Sequence, residues 1–174
     1  MKKIVFTSHC NAPLLADYAS IGARSGGLMD SVIQDSYDSK VQIFSDDNRL
    51  MFESDKANVD SSNRLPYKVE LQTGEYMGIC GIYHDKKAIY LYEKVFDDVM
   101  QKWYCIFDYP AARIHKCIQE NPNHSNLKVI TDLLIHCGGF NWDGSHGCLT
   151  LHPEQWSKFI DFFKINEKVI IVKK

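Results

Sequence analysis

One short stretch of the chain gathers the residues best suited to chemistry: Ile135-His136-Cys137-Gly138-Gly139-Phe140-Asn141-Trp142-Asp143-Gly144-Ser145-His146-Gly147-Cys148. A thiol attacks a carbonyl carbon only as the thiolate, and a free thiol is mostly protonated at neutral pH, so an imidazole must stand by to take its proton. His136 and Cys148 are suited to form that pair. Gly147 lets the backbone turn tightly and offers the amide N–H groups of Gly147 and Cys148 to a developing oxyanion. Ser145 and His146 directly precede them in the chain. Phe140 and Trp142 suit stacking on a ligand, and with Gly138 and Gly139 they form the candidate substrate-contacting set. Asp143, just before Gly144, reads as a turn residue.

Two other chemistries use the same residues. His136, His146, Cys148 and His152 carry enough nitrogen and sulfur for tetrahedral zinc, as a zinc-binding hydrolase would need. His146 and Cys148, however, are two residues apart at the entry to an apolar run, an awkward separation for two ligands, and neither CxxC nor HExxH occurs. The expectation is therefore a site without metal or cofactor. A non-catalytic module could also keep the loop to grip a peptide or glycan. The order of the pair narrows the enzyme reading, because papain-like, NlpC-type and transglutaminase-like enzymes place the cysteine before the histidine, and here it follows.

A histidine, a gap, then Ser145-His146-Gly147-Cys148-Leu149-Thr150-Leu151, a short helix and the strand Val169-Ile170-Ile171-Val172 resemble the catalytic domain of L,D-transpeptidases, the YkuD-type fold. The resemblance covers residues 135 to 172. It implies an α+β domain, mostly a mixed β-sheet or sandwich with a few short helices. It also implies Cys148 as nucleophile, His136 as base, Ser145 and His146 as the residues that shape the loop, and peptidoglycan stem peptides as substrate. In that family the cysteine attacks the carbonyl of a diaminopimelate residue linked to D-alanine, releases D-alanine, and passes the acyl group to an amine or to water. The chain departs from the family in three places: the gap between His136 and Ser145 is compact, Cys137 follows the histidine where glycine or serine is usual, and Thr150 stands where arginine or asparagine is frequent. A compact gap is similar to that of short YkuD-like domains of secreted interbacterial toxins, which trim stem peptides or exchange D-amino acids.

The rest of the chain must position this loop. At 174 residues, 45% hydrophobic and 24% charged, it is expected to form one domain over residues 1–174 around one core. A net charge of −2 argues against a nucleic-acid partner. The apolar run Ile4-Val5-Phe6 is too short for a signal-peptide core, and no run is long enough to span a membrane. The expectation is synthesis in the cytoplasm without a signal peptide, with action in the periplasm or cell wall if a dedicated secretion system exports the protein. Six cysteines, Cys10, Cys80, Cys105, Cys117, Cys137 and Cys148, lack paired spacing and read as reduced thiols.

Periodicity predicts a strand at 3–7, helices at 14–23 and 28–35, and a hairpin of 41–44 with 50–53 around Ser45-Asp46-Asp47-Asn48. An exposed loop is expected over 55–66, and strands at 67–71, 76–83 and 87–92, the last two joined around His84-Asp85-Lys86. Residues 93–107 fit either helix or strand. Asp108 and Pro110 predict a short helix continuing to Ile118. Pro153 predicts a second helix start, with Trp156, Phe159, Ile160 and Phe163 on one face, and 169–172 closes as a strand.

Overall fold

The computed structural model describes residues 1–11, 37–59, 69–71, 73–97, 102–105, 111–117, 128–131, 133–140 and 148–174. Twelve strands and one helix lie among them: β1 (Lys3–Thr7), β2 (Ser39–Phe44), β3 (Leu50–Asn58), β4 (Val69–Leu71), β5 (Gly74–Tyr83), β6 (Lys86–Asp97), β7 (Lys102–Cys105), β8 (Ala111–Cys117), β9 (Lys128–Thr131), β10 (Leu134–Cys137), β11 (Leu149–Leu151), α1 (Pro153–Ile160) and β12 (Lys168–Lys173).

Eight strands close on themselves in the order β10-β11-β3-β2-β1-β12-β5-β6, with β6 pairing back onto β10 through Leu134 with Tyr90 and Ile135 with Ile89. The backbone bond from Leu91 N–H to Leu133 O, 2.9 Å, lies beside that seam. Two neighbouring pairs, β1 with β12 and β10 with β11, are parallel, and the others are antiparallel. β7 extends from β6, and β4, β8 and β9 form a separate three-stranded sheet. This closed mixed barrel corrects the expected α+β sheet or sandwich with several short helices: among the described residues there is one helix. Closure satisfies the backbone groups that an open sheet would leave at its edges.

Alternation fills the barrel. Ile4 and Phe6, Val41 and Ile43, Ile89 and Leu91, Leu149 and Leu151, and Val169 and Ile171 are all buried and belong to one core cluster. An eight-stranded barrel is just wide enough to be filled by side chains. Gly78 shows how tight the fill is: a Cβ there would stand 2.7 Å from Ile171 Cδ1 and 2.8 Å from both Ile89 Cγ2 and Val169 Cγ2. The last two methyls belong to β-branched residues, which have little freedom to move aside.

The hairpin expected around residues 45–48 is present, with Asn48 at φ 62° and the Ser45 backbone exchanging hydrogen bonds with Arg49 and Asn48. β5 and β6 are joined by His84-Asp85, both at positive φ (46° and 61°), the geometry whose twist matches a two-residue hairpin. The segment with two readings, 93–107, contributes strand residues to β6 and β7. The helix expected after Pro110 is instead strand β8, paired on both sides with β4 and β9. Helix propensity is a weak preference, and two flanking strands that satisfy the backbone override it. The helices expected at 14–23 and 28–35 lie outside the described residues, as does most of the expected 55–66 loop.

Helix α1 begins as its sequence suggests, with Pro153 in the first turn and His152 as N-cap. Phe159 and Ile160 are buried in the core cluster, and Trp156 packs half-buried beside them. Phe163, the last residue of the expected stripe, lies beyond the helix end, where it too is buried.

Candidate active site

The loop that holds the candidate residues is the crossover between two parallel neighbours. β10 delivers His136 and β11 follows directly on Cys148, with Ile135 opposite Leu149, His136 opposite Thr150 and Cys137 opposite Leu151. Ile135, Leu149 and Leu151 point into the core. His136 and Thr150 therefore share the outer wall of the barrel, and Cys148 stands directly before β11. Strand spacing and rise set the Cα atoms of His136 and Cys148 about 8 Å apart on the diagonal, a span an imidazole and a thiol can bridge. Both side chains are half-buried, and Cys148 also packs against the rim of the core cluster.

His136 Nδ1 lies 2.8 Å from the carbonyl oxygen of Cys137. A carbonyl only accepts, so this bond requires Nδ1 to carry the proton and makes Nε2 the ring nitrogen that bears the lone pair. Cys137 itself, although adjacent in sequence, projects to the opposite face from His136 by alternation. Burial pushes its thiol pKa up, against a smaller opposing effect of Lys86. Burial does the same to Cys80, and both thiols are thereby held as poor nucleophiles. Cys137 and Cys148 are not joined by a disulfide.

The loop base is tied down at three points. Gly138 N–H donates to Leu151 O at 2.8 Å, carrying the β10–β11 ladder one step further. The buried Tyr37 donates its hydroxyl to Gly139 O at 2.7 Å. The Phe140 ring stands edge-on to His152, 5.3 Å between centroids, while remaining 63% exposed. Tyr37 packs on His152 in a similar edge arrangement at 5.2 Å. Phe140 thus combines a packing contact with an open face. Trp142, Ser145, His146 and Gly147 lie outside the described residues, as do Asp143 and Gly144. No group of three or more His, Cys, Asp or Glu side chains arranged to hold a metal ion occurs among the described residues.

Three residues at the site were not evident from sequence. In register, His136 on β10, Thr150 on β11 and Asn58 on β3 form one polar row across three strands, and Thr150 and Asn58 are fully buried. Asn58 and Tyr37 are each far from the loop in the chain, so only strand pairing and packing reveal them. The one sequence signal was Thr150, two residues beyond Cys148. His9 pairs through Nδ1 with Asp38 at 2.7 Å.

His152 links the site to the helix. Its Nδ1 accepts from Glu154 N–H at 3.3 Å, capping α1. Burial lowers its pKa, opposed by the Glu154 carboxylate and assisted by Lys56. Because the folded value lies below that of the unfolded chain, the unfolded chain binds the proton first. Stability is therefore fully present above the ordinary histidine range near ~6.5 and is lost as pH falls through that value toward the lowered one. Protonation also converts Nδ1 from acceptor to donor and breaks the cap. His152→Asn, which can still cap, is expected to remove part of the destabilisation that urea unfolding detects between pH 7.5 and pH 5.5. An equal acid loss in the variant would exclude His152 as its source.

Comparison with protein-family models, with curated proteins and with solved structures finds no match.

Proposed function

We propose that the protein is a cysteine acyltransferase acting on the stem peptides of peptidoglycan, as a transpeptidase or carboxypeptidase, with Cys148 as nucleophile and His136 as base. The observation that supports this reading most is the placement of His136 on β10 and of Cys148 directly before its parallel neighbour β11, with His136 Nδ1 directed to the Cys137 carbonyl. The motif Ser145-His146-Gly147-Cys148 adds the chemical context.

In the proposed reaction, His136 Nε2 takes the proton of Cys148 Sγ, and the sulfur electron pair attacks the stem-peptide carbonyl preceding D-alanine. The backbone amides of Gly147 and Cys148 hold the resulting oxyanion. Collapse breaks the C–N bond, the imidazolium returns its proton to the leaving amine, and a thioester remains on Cys148. Water or an amine then attacks the thioester, His136 accepts that nucleophile's proton, and the thiol is regenerated. Phe140, exposed beside the loop base, offers an apolar face to the substrate, with Trp142, Gly138 and Gly139 completing the contact set. Exported by a dedicated secretion system, the protein would act in the periplasm or cell wall.

Incubation with purified muropeptides is expected to yield an acyl adduct that intact-mass analysis and peptide mapping locate on Cys148, together with released D-alanine. Unmodified protein and unchanged muropeptides would overturn the proposal.

A further inference from the structure

Exposed apolar side chains gather at one end of the barrel. β1, β3, β6 and β12 all begin there, and β2 and β5 end there, as the parallel and antiparallel pairings require. Met1 lies just before β1, Leu50 opens β3, Ile82 and Tyr83 close β5, and Ile165 lies in the turn that leads to β12. Each is between 44% and 56% exposed. A single exposed apolar side chain is ordinary, whereas a set drawn to one end from separate loops marks a surface that meets something. Cations stand beside every tip. Lys2 and Lys3 follow Met1, Arg49 precedes Leu50, and Lys164 precedes Ile165. Across the β5–β6 hairpin, Ile82 is opposite Lys87 and Tyr83 is opposite Lys86.

The Ile165 turn is tied on both sides. Lys2 Nζ donates to Phe162 O at 2.6 Å, Lys87 Nζ to Phe163 O at 3.0 Å, and Asn166 N–H to Cys80 O at 2.8 Å. The same segment buries Phe163 in the core and presents Ile165 to solvent. Glu167 is engaged by Lys2 and by the Lys164 backbone N–H, and Asp47 accepts from the Ser45 hydroxyl. The side chains of Arg49, Lys86 and Lys164 form no ion pair among the described residues. Asp46, Asp85 and Asp161 share this end, so its attraction for an anionic surface is moderate and the apolar tips are needed as well.

From this pairing of apolar tips with cations we propose that this end of the barrel docks on a bilayer surface carrying anionic headgroups. A flat protein face would desolvate the turn backbone between the tips without supplying partners for it. A headgroup layer is deformable and wet, so each tip enters it while the backbone between stays hydrated. Tyr83 suits that boundary, with an apolar ring and a hydroxyl that reaches water. The neighbouring lysines lay their stems along the apolar layer and hold their charges at the level of the phosphates.

The test is co-sedimentation of the full chain with vesicles of phosphatidylcholine, alone or with phosphatidylglycerol added. Binding is expected to the anionic vesicles, and it is expected to weaken as salt is raised. Lys86→Gln and Lys164→Gln are each expected to weaken it about fivefold. Ile82→Ser and Ile165→Ser are each expected to weaken it about tenfold, with thermal unfolding close to wild type because both side chains are exposed. Lys174→Gln, an exposed position beyond the far end of β12, is expected to bind as wild type does. Isoleucine variants that bind as well as wild type would reduce the attraction to charge alone and overturn the proposal. Equal binding to both kinds of vesicle, or to neither, would also overturn it. So would sedimentation velocity showing that the chain self-associates through Ile82 and Ile165 and leaves the vesicles unbound. Cys148 and His136 take no part, so either result leaves the acyltransferase proposal where it stands.

Discussion

Cys148→Ser is expected to lower D-alanine release from muropeptides by about four orders of magnitude or more, to the level left by binding and backbone donors alone. His136→Gln is expected to cost about 10²- to 10⁴-fold, the usual contribution of a positioned general base. The two losses should not add. Once the thiol cannot attack, a base has nothing to activate, so the double variant is expected to match Cys148→Ser. Circular dichroism and thermal unfolding should be unchanged in the serine variant, because one half-buried sulfur at the rim of the core is exchanged for oxygen. The same variant separates catalysis from the binding-module reading. Muropeptide turnover that survives Cys148→Ser would exclude a Cys148 acyl-enzyme, and muropeptide binding without turnover by the wild-type chain would favour the module.

Phe159→Ala is expected to produce the largest loss of stability. Phe159 is fully buried, and its ring meets those of Phe52 at 5.8 Å, Trp156 at 5.6 Å and Phe163 at 5.5 Å. Truncating a buried phenylalanine removes its transfer free energy and leaves a cavity, together about 3–5 kcal/mol. Total stability of a domain is only about 5–15 kcal/mol, so the variant should unfold at markedly lower urea with an unchanged denaturant slope. The consequence reaches the site, because α1 packs against β10 and β3, which carry His136 and Asn58, and its cap is His152. A midpoint close to wild type would show that α1 does not depend on this ring cluster.

The sequence carried the chemistry more clearly than the architecture. His136, Cys148 and the glycine-rich segment before the cysteine are legible as candidates because an imidazole, a thiol and glycines lie within one short segment. The hairpins at Ser45–Asn48 and His84-Asp85 are legible for the same local reason, since turn residues interrupt two-residue alternation. Helix α1 was legible from Pro153 and its apolar stripe, although the stripe runs past the helix end to Phe163. Residues 111–117 were misread as helix because Asp108 and Pro110 satisfy a local capping pattern, while the partners that make them a strand, β4 and β9, are remote in sequence.

Closure of the barrel could not be read from the chain at all. It depends on β6 meeting both β5, its hairpin neighbour, and β10, more than thirty residues onward. Alternation states that a strand has two faces, not which strand lies beside it. By itself, then, the sequence determined the candidate pair His136 and Cys148, the local turns and the alternation that sorts inward from outward residues. Tertiary structure alone decided that β10 and β11 run parallel side by side in a closed barrel, and that Thr150 and Asn58 stand buried in register with His136. The reason is that strand pairing joins backbones whose separation along the chain leaves no local trace, and burial of a polar side chain follows from that pairing.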